Sequence, residues 1–282
     1  MKLIRYPGKL QQILEKERAR GKTVGFVPTM GALHEGHLSL VRASDHENDI
    51  TVVSIFVNPT QFVMNEDYAK YPRVLSEDMK KLRPVKVDYL FCPSVAAMYP
   101  EGYTTFVDVS PRLTNVLCGK FRPGHFRGVA TVVTKFLNIT GPCRLYLGAK
   151  DFQQATVIRR LVRDLNLPTR VRVMPTVREK DGLAMSSRNR YLSPHERHRA
   201  LAISRVLFMF KKDLLRKKRR RFTDLRTRAI RELKKNVDQV QYFEIVEPGT
   251  LAPLKKYQKD MIVLAACFVG KTRLIDNVII HN

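Results

Sequence analysis

The chain has 282 residues, 44% of them hydrophobic, with 51 Lys and Arg against 26 Asp and Glu and a formal net charge of +25. That length fits one large or two ordinary domains, and that hydrophobic share fits a chain with a real core. No apolar run reaches the ~18 residues a membrane-spanning helix needs, and the amino terminus lacks the apolar stretch of a signal peptide. Four widely spaced cysteines without a C-x-x-C pair argue against zinc and redox motifs. The expectation is a soluble, cytoplasmic protein with reduced thiols.

The first half alternates strand-like and helix-like segments. Thr23 to Val27 is a short apolar run ending at Pro28, and a helical stretch follows near His37. Asp49 to Val57 is β-branched and almost continuously apolar, as a strand buried on both faces would be. Val87 to Phe91 and Arg144 to Leu147 read as further strands. Gln153 to Leu165 carries Val157, Ile158, Leu161, Val162 and Leu165 near helical spacing, and Arg170 to Met174 is again strand-like. This alternation predicts an α/β fold, a Rossmann-like doubly wound parallel sheet that binds nucleotides at the carboxyl ends of its strands.

The second half opens at Ser193-Pro194-His195-Glu196, a capping box with proline at the first helical position. Ile203, Val206, Leu207, Phe210 and Leu214 then share one helical face. Lys211 to Lys235 holds 13 Lys and Arg against 3 Asp and Glu, and its Phe222, Leu225, Ala229 and Leu233 form another helical stripe. Arg219 to Arg221 are therefore expected near a junction between two amphipathic helices. Gln239 to Val246, Met261 to Val269 and Thr272 to Ile280 read as strands, the last two joined in a hairpin at Gly270-Lys271. The expected organisation is a Rossmann-like nucleotide-binding domain over residues 1–176 and a smaller α+β domain over residues 177–282.

The segment PTMGALHEGH, Pro28 to His37, follows a strand and opens a helix. Free N–H groups and the helix dipole favour anions at such a terminus. His34 and His37, three apart, would both flank it, where donors can offset charge building on a leaving group. Gly31 and Gly36 permit close approach of backbone to ligand. This segment resembles the His-x-Gly-His signature of the nucleotidyltransferase superfamily, shared with class I aminoacyl-tRNA synthetases, and its longer form resembles the pantothenate synthetase family. FVNPTQF (Phe56 to Phe62), NEDYAKYPR (Asn65 to Arg73), RPGHFRGVATVVTKFLNI (Arg122 to Ile139), LGAKDFQQ (Leu147 to Gln154) and PTVREKDGLAMSSRNRYLS (Pro175 to Ser193) look like that family's blocks, in the family's order.

The resemblance implies ATP-dependent condensation of pantoate with β-alanine through a pantoyl-adenylate, releasing pyrophosphate and AMP. It implies ATP contacts at Met30, Gly31, His34, Gly36, His37, Gly148, Ala149, Lys150, Asp151, Val177, Met185, Ser186, Ser187 and Arg188. Of these, His34, His37, Lys150, Ser186, Ser187 and Arg188 would assist catalysis. Pantoate and β-alanine would meet Asn58, Gln61, Gln154, Arg122 and His125. Asp78 would help hold Mg²⁺, and a homodimer is implied. The residue types suit these tasks. Amides both donate and accept, and arginine's planar fork matches phosphate.

The chain departs from the family at Val63-Met64, where a small or Gly-Pro-like pair is usual, and in its charge, where near-neutral or acidic members are expected. Such a field attracts polyanions in a salt-sensitive way. Two rival readings remain at this point. One is another nucleotidyltransferase moving a nucleotide onto a phosphorylated acceptor. The other is a basic nucleic-acid-binding protein, although the basic helices lack the aromatic interleaving of single-strand binders.

Overall fold

The computed structural model describes residues 1–63, 66–216 and 222–281. Met64, Asn65 and the basic stretch from Lys217 to Arg221 lie outside the described residues, and with them the departure at Met64 and the expected helix junction. The strands are β1 (Lys2–Ile4), β2 (Val24–Thr29), β3 (Ile50–Ile55), β4 (Tyr89–Phe91), β5 (Cys143–Gly148), β6 (Thr169–Met174), β7 (Gln239–Val246), β8 (Asp260–Val269) and β9 (Thr272–His281). The helices are α1 (Pro7–Ala19), α2 (Glu35–Glu47), α3 (Leu75–Leu82), α4 (Val95–Met98), α5 (Pro111–Thr114), α6 (Cys118–Phe121), α7 (His125–Thr140), α8 (Phe152–Asp164), α9 (Pro194–Arg216) and α10 (Phe222–Lys234). They fall into two compact units.

The first unit comprises Met1–Ser110, Arg122–Ala149 and Val157–Pro175. Its six strands run in the order β1-β4-β3-β2-β5-β6, and every pairing is parallel. From β2 outward, the chain adds β3 and β4 on one side and β5 and β6 on the other. The order therefore reverses between β2 and β5, and in open α/β sheets ligands bind at such a switch point, beyond the carboxyl ends of the strands. β3 reads as an apolar run in sequence because both of its faces are covered. On one face, Phe136 of α7 meets Phe26, Phe56 and Phe91 at ring-centroid distances of 5.5, 6.1 and 6.2 Å. Full burial of one such ring is worth about 1.5–3 kcal/mol. On the other face, Leu40 and Val41 of α2 and Leu82 of α3 pack with Val27, Val53 and Leu90.

The second unit comprises Pro111–Phe121, Lys150–Thr156 and Thr176–Asn282. β7, β8 and β9 form an antiparallel sheet with β8 in the middle. The apolar stripes of α9 and α10 supply Leu207, Phe210, Leu214, Phe222, Leu225 and Leu233 to a core with Phe243, Met261, Val263 and Ala265. The predicted capping box is present: Ser193 N–H donates to Glu196 and Glu196 N–H to Ser193 Oγ.

All four cysteines are reduced and buried. Burial raises the Cys92 thiol to about 11 and the Cys267 thiol to about 12.

Gly128 of α7 lies against the turn after β3 so closely that a Cβ there would stand 2.1 Å from Thr60 O and 2.6 Å from Gln61 N. Backbone atoms cannot step aside as a flexible side chain does. Gly128→Ala is therefore expected to destabilise the fold by about 1–3 kcal/mol through overpacking, measured by urea unfolding. Gly8→Ala, with nothing within 4 Å, serves as the control.

Candidate active site

The loop after β2 carries Met30 to Leu33 past the carboxyl edge of the sheet and into α2. His34 is the N-cap of α2, in extended conformation, and His37 sits at its third position. The two imidazole rings lie 4.0 Å apart, inclined by 32°, and both are half-buried. His34 N–H donates to His37 Nδ1 at 3.4 Å, leaving Nε2 as the nitrogen that carries the proton of a neutral His37 ring. The pair thus stands at the amino end of a helix, where backbone N–H groups and the dipole favour an anion.

A second group begins at the 3₁₀ turn Pro59–Gln61 after β3. Asn58 is 1% exposed and spends its side chain inside the protein. Its oxygen accepts from Tyr99 Oη at 2.8 Å and Thr60 Oγ1 at 3.0 Å, and its amide donates to Gln61 Oε1 at 3.0 Å and Gly128 O at 3.2 Å. Burial lifts the Tyr99 phenol to about 12, which keeps it a donor. Gln61 then donates through Nε2 to Met30 Sδ at 3.0 Å. Asn58 in this arrangement orients Gln61.

Gln61 also accepts, through its main-chain oxygen, from His125 Nδ1 at 2.7 Å. A carbonyl only accepts, so Nδ1 carries the ring proton and Nε2 receives Arg122 Nη1 at 2.9 Å. Arg122 meets Glu66 through both Nε and Nη2, the latter at 2.7 Å from Oε2. The structure therefore joins Met30, Gln61, Asn58, His125 and Arg122 through direct bonds, and adds Glu66 and Tyr99, which the sequence reading did not single out.

Asp78, expected to help hold Mg²⁺, lies against the loop after β2. Its carboxylate is 0% exposed, and its two oxygens accept from Ala32 N at 2.8 Å and Leu33 N at 2.7 Å. Among the described residues no group of three or more His, Cys, Asp or Glu is arranged to hold a metal. The Asp78 carboxylate thus holds the loop after β2.

Gly148 ends β5 and Ala149 is buried just beyond it. In the second unit, Lys150 Nζ lies 3.8 Å from Asp151 Oδ1, and Gln154 is half-buried at the start of α8. Its neighbour Gln153 is committed to the fold, donating to Leu113 O and Val116 O and accepting from Cys118 N. Met185 N–H donates to Val177 O at 3.0 Å, closing the base of the loop that leads to Ser186, Ser187 and Arg188. Ser186 caps the 3₁₀ turn Ser187–Tyr191. Two residues of β9 hold these segments: Arg178 forks onto Asp276 at 2.7 and 2.9 Å, and Asn277 Nδ2 donates to Lys150 O at 3.0 Å. A buried Asp-Asn pair inside an otherwise apolar strand was the available sequence signal for them.

A sequence model of the pantoate-beta-alanine ligase family matches residues 2–279. The chain belongs to the pantoate–β-alanine ligase family. It is 51% identical to the pantothenate synthetase of Sulfurihydrogenibium sp. (strain YO3AOP1) over 287 residues, covering 99% of each chain. It is 52% identical to that of Thermosipho melanesiensis over 284 residues, again 99% of each. The crystal structure of pantothenate synthetase from Thermus thermophilus superposes with a TM-score of 0.94 at 42% identity, with full coverage of both chains. The pantoate-beta-alanine ligase of Francisella tularensis, complexed with beta-gamma ATP and beta-alanine, gives 0.80 at 37% identity, covering 99% of this chain and 97% of that one. The histidine pair follows β2, one of the two strands between which the order reverses.

The Arg178–Asp276 pair is largely buried, with side-chain exposures of 18% and 4%. Asp276→Ala leaves a guanidinium without its carboxylate, and breaking a pair of this kind costs about 3–5 kcal/mol. Guanidinium unfolding should read a loss of that order, while Asp260→Ala on the exposed His281 pair should change little.

Proposed function

We propose that the chain joins pantoate to β-alanine at the expense of ATP, forming pantothenate, AMP and pyrophosphate through a pantoyl-adenylate. The observation that carries this reading is the His34–His37 pair at the amino end of α2, in the same unit as the Asn58–Gln61–His125–Arg122 network. A carboxylate is a poor acyl donor, so the reaction needs a leaving group, and adenylation supplies one.

In the first step the pantoate carboxylate attacks the α-phosphorus and pyrophosphate leaves. His34, His37 and the helix N-terminus offset charge at the phosphates, with Lys150, Ser186, Ser187 and Arg188 assigned to the same task. Met30, Gly31, Gly36, Gly148, Ala149, Asp151, Val177 and Met185 are assigned to ATP. Gln61 and Gln154 are assigned to pantoate and β-alanine, with Arg122 and His125 at the edge of that site and Asn58 behind Gln61. In the second step the neutral amine attacks the acyl carbon and AMP leaves. Most of the rate comes from holding the reacting groups in line.

Mg²⁺ would accompany ATP with few protein ligands of its own. When bound it offsets phosphate charge. The family resemblance supports a homodimer and a cytoplasmic setting, and the division expected between residues 176 and 177 leaves aside Pro111–Phe121 and Lys150–Thr156, which group with the second unit. The +25 charge supports weak, salt-sensitive polyanion binding alongside the enzymatic role.

The test is AMP and pyrophosphate release from ATP with Mg²⁺. Pantoate alone should give one pyrophosphate per site, and sustained AMP release should require β-alanine as well. His37→Ala should lower kcat about 10²–10³-fold, the cost of losing one charge-stabilising donor. Turnover without pantoate, or indifference to β-alanine, would show a different nucleotidyltransferase.

A further inference from the structure

The loop between β2 and α2 bends sharply. Gly31 has φ +84° and Ala32 has φ +50°, a left-handed conformation that alanine rarely adopts. A Cβ at position 31 would lie 3.0 Å from Asp78 Oδ2 and 3.1 Å from Ile55 Cγ2, so glycine is demanded by φ and the space beside it is tight.

What holds this path is a ladder of four successive N–H groups. Gly31 N donates to Thr29 Oγ1 at 3.1 Å, Ala32 N and Leu33 N to the two oxygens of Asp78, and His34 N to His37 Nδ1. One rung is braced from behind: Lys81 Nζ donates to Leu33 O at 2.7 Å. Asp78 and Lys81 are three apart on α3 and share a face.

The geometry of the last peptide is the decisive point. Leu33 O and His34 N belong to one planar group. Lys81 fixes the oxygen end, so the N–H end is aimed at His37 Nδ1. Turning that plane would release Lys81 and withdraw the donor from His37 together. Asp78 fixes the two preceding planes and leaves the chain no freedom to compensate.

We infer that Asp78 and Lys81 form a clamp on residues 32–34 that selects the Nε2-protonated tautomer of His37 and fixes the ring's bearing, making both positioning residues for adenylate formation. The tautomer matters because it leaves Nε2–H, the nitrogen not engaged with the backbone of His34, as the ring's donor to an incoming oxygen. The kinetic part rests on the ligase reading; the tautomer part does not.

The experiment compares Asp78→Asn and Lys81→Met with the parent chain. Long-range ¹H–¹⁵N spectra of imidazole-labelled protein give the tautomer of His37, assigned by the signals lost in His37→Ala. Each variant should remain folded by circular dichroism and shift His37 toward a mixture of tautomers. kcat should fall about 10- to 100-fold, as for a lost second layer of support around a reacting group, with KM for β-alanine unchanged. Unchanged His37 signals in both variants would overturn the clamp whatever the rates. Should Asp78→Asn fail to fold, Lys81→Met decides alone, because the Lys81 side chain is only half-buried and methionine keeps most of its aliphatic stem. A parent chain that makes no AMP would overturn the ligase reading, and the tautomer comparison would still judge the clamp.

Discussion

A carboxylate can be buried only where donors replace its lost water, and in the first unit that requirement ties α3 to the loop after β2. Asp78 finds those donors in two consecutive backbone amides. Consecutive amides point toward one side chain only where the chain bends hard, so the buried charge and the left-handed turn at Gly31 and Ala32 sustain each other. The position of His34 as the cap of α2, the start of that helix and the stacking of the two imidazoles all lie downstream of this bend.

Both units use polar residues in the same way. Asn58 in the first unit, and Gln153, Asp276 and Asn277 in the second, are buried and direct their hydrogen bonds at backbone or at another polar side chain. They hold segments in shape, and the residues proposed to meet ligand are their neighbours: Gln61 beside Asn58, Gln154 beside Gln153, Lys150 held by Asn277. A network of this kind resists rearrangement because each donor lost strands an acceptor in a low-dielectric interior. The Gln61 main-chain oxygen shows the economy of the arrangement. By accepting from His125 Nδ1 it sets which nitrogen of that ring faces Arg122.

Much of the fold was legible in the sequence. Apolar runs located β2 through β9 because a buried strand has to be apolar on the faces it hides, and the stripes of α9 and α10 stood out at helical spacing. β1 and α1 were missed. β1 is only three residues long, and α1 places just Leu10 and Leu14 fully inside, too weak a period to read. The helix α7 went unread as an element because twelve of its residues are buried, which erases amphipathic contrast. At the site, the histidine pair was legible from its spacing between a strand and a helix. Which of two adjacent glutamines serves the fold was not, since one residue turns a side chain about 100° around a helix and only tertiary contacts label the faces. Asp78 stood out only through the family resemblance, and its partners are amides 45 and 46 residues away that carry no mark in sequence.

The thiols bear on how such a chain can be studied. All four cysteines sit inside the protein, and those at 92 and 267 hold their protons well above the ordinary thiol range. Thiolate, not thiol, attacks maleimides, so burial shields all four native cysteines and held protons add protection at 92 and 267. A single cysteine introduced on the exposed surface would then carry a fluorophore or spin label selectively, with the native four left in place and the core around them undisturbed.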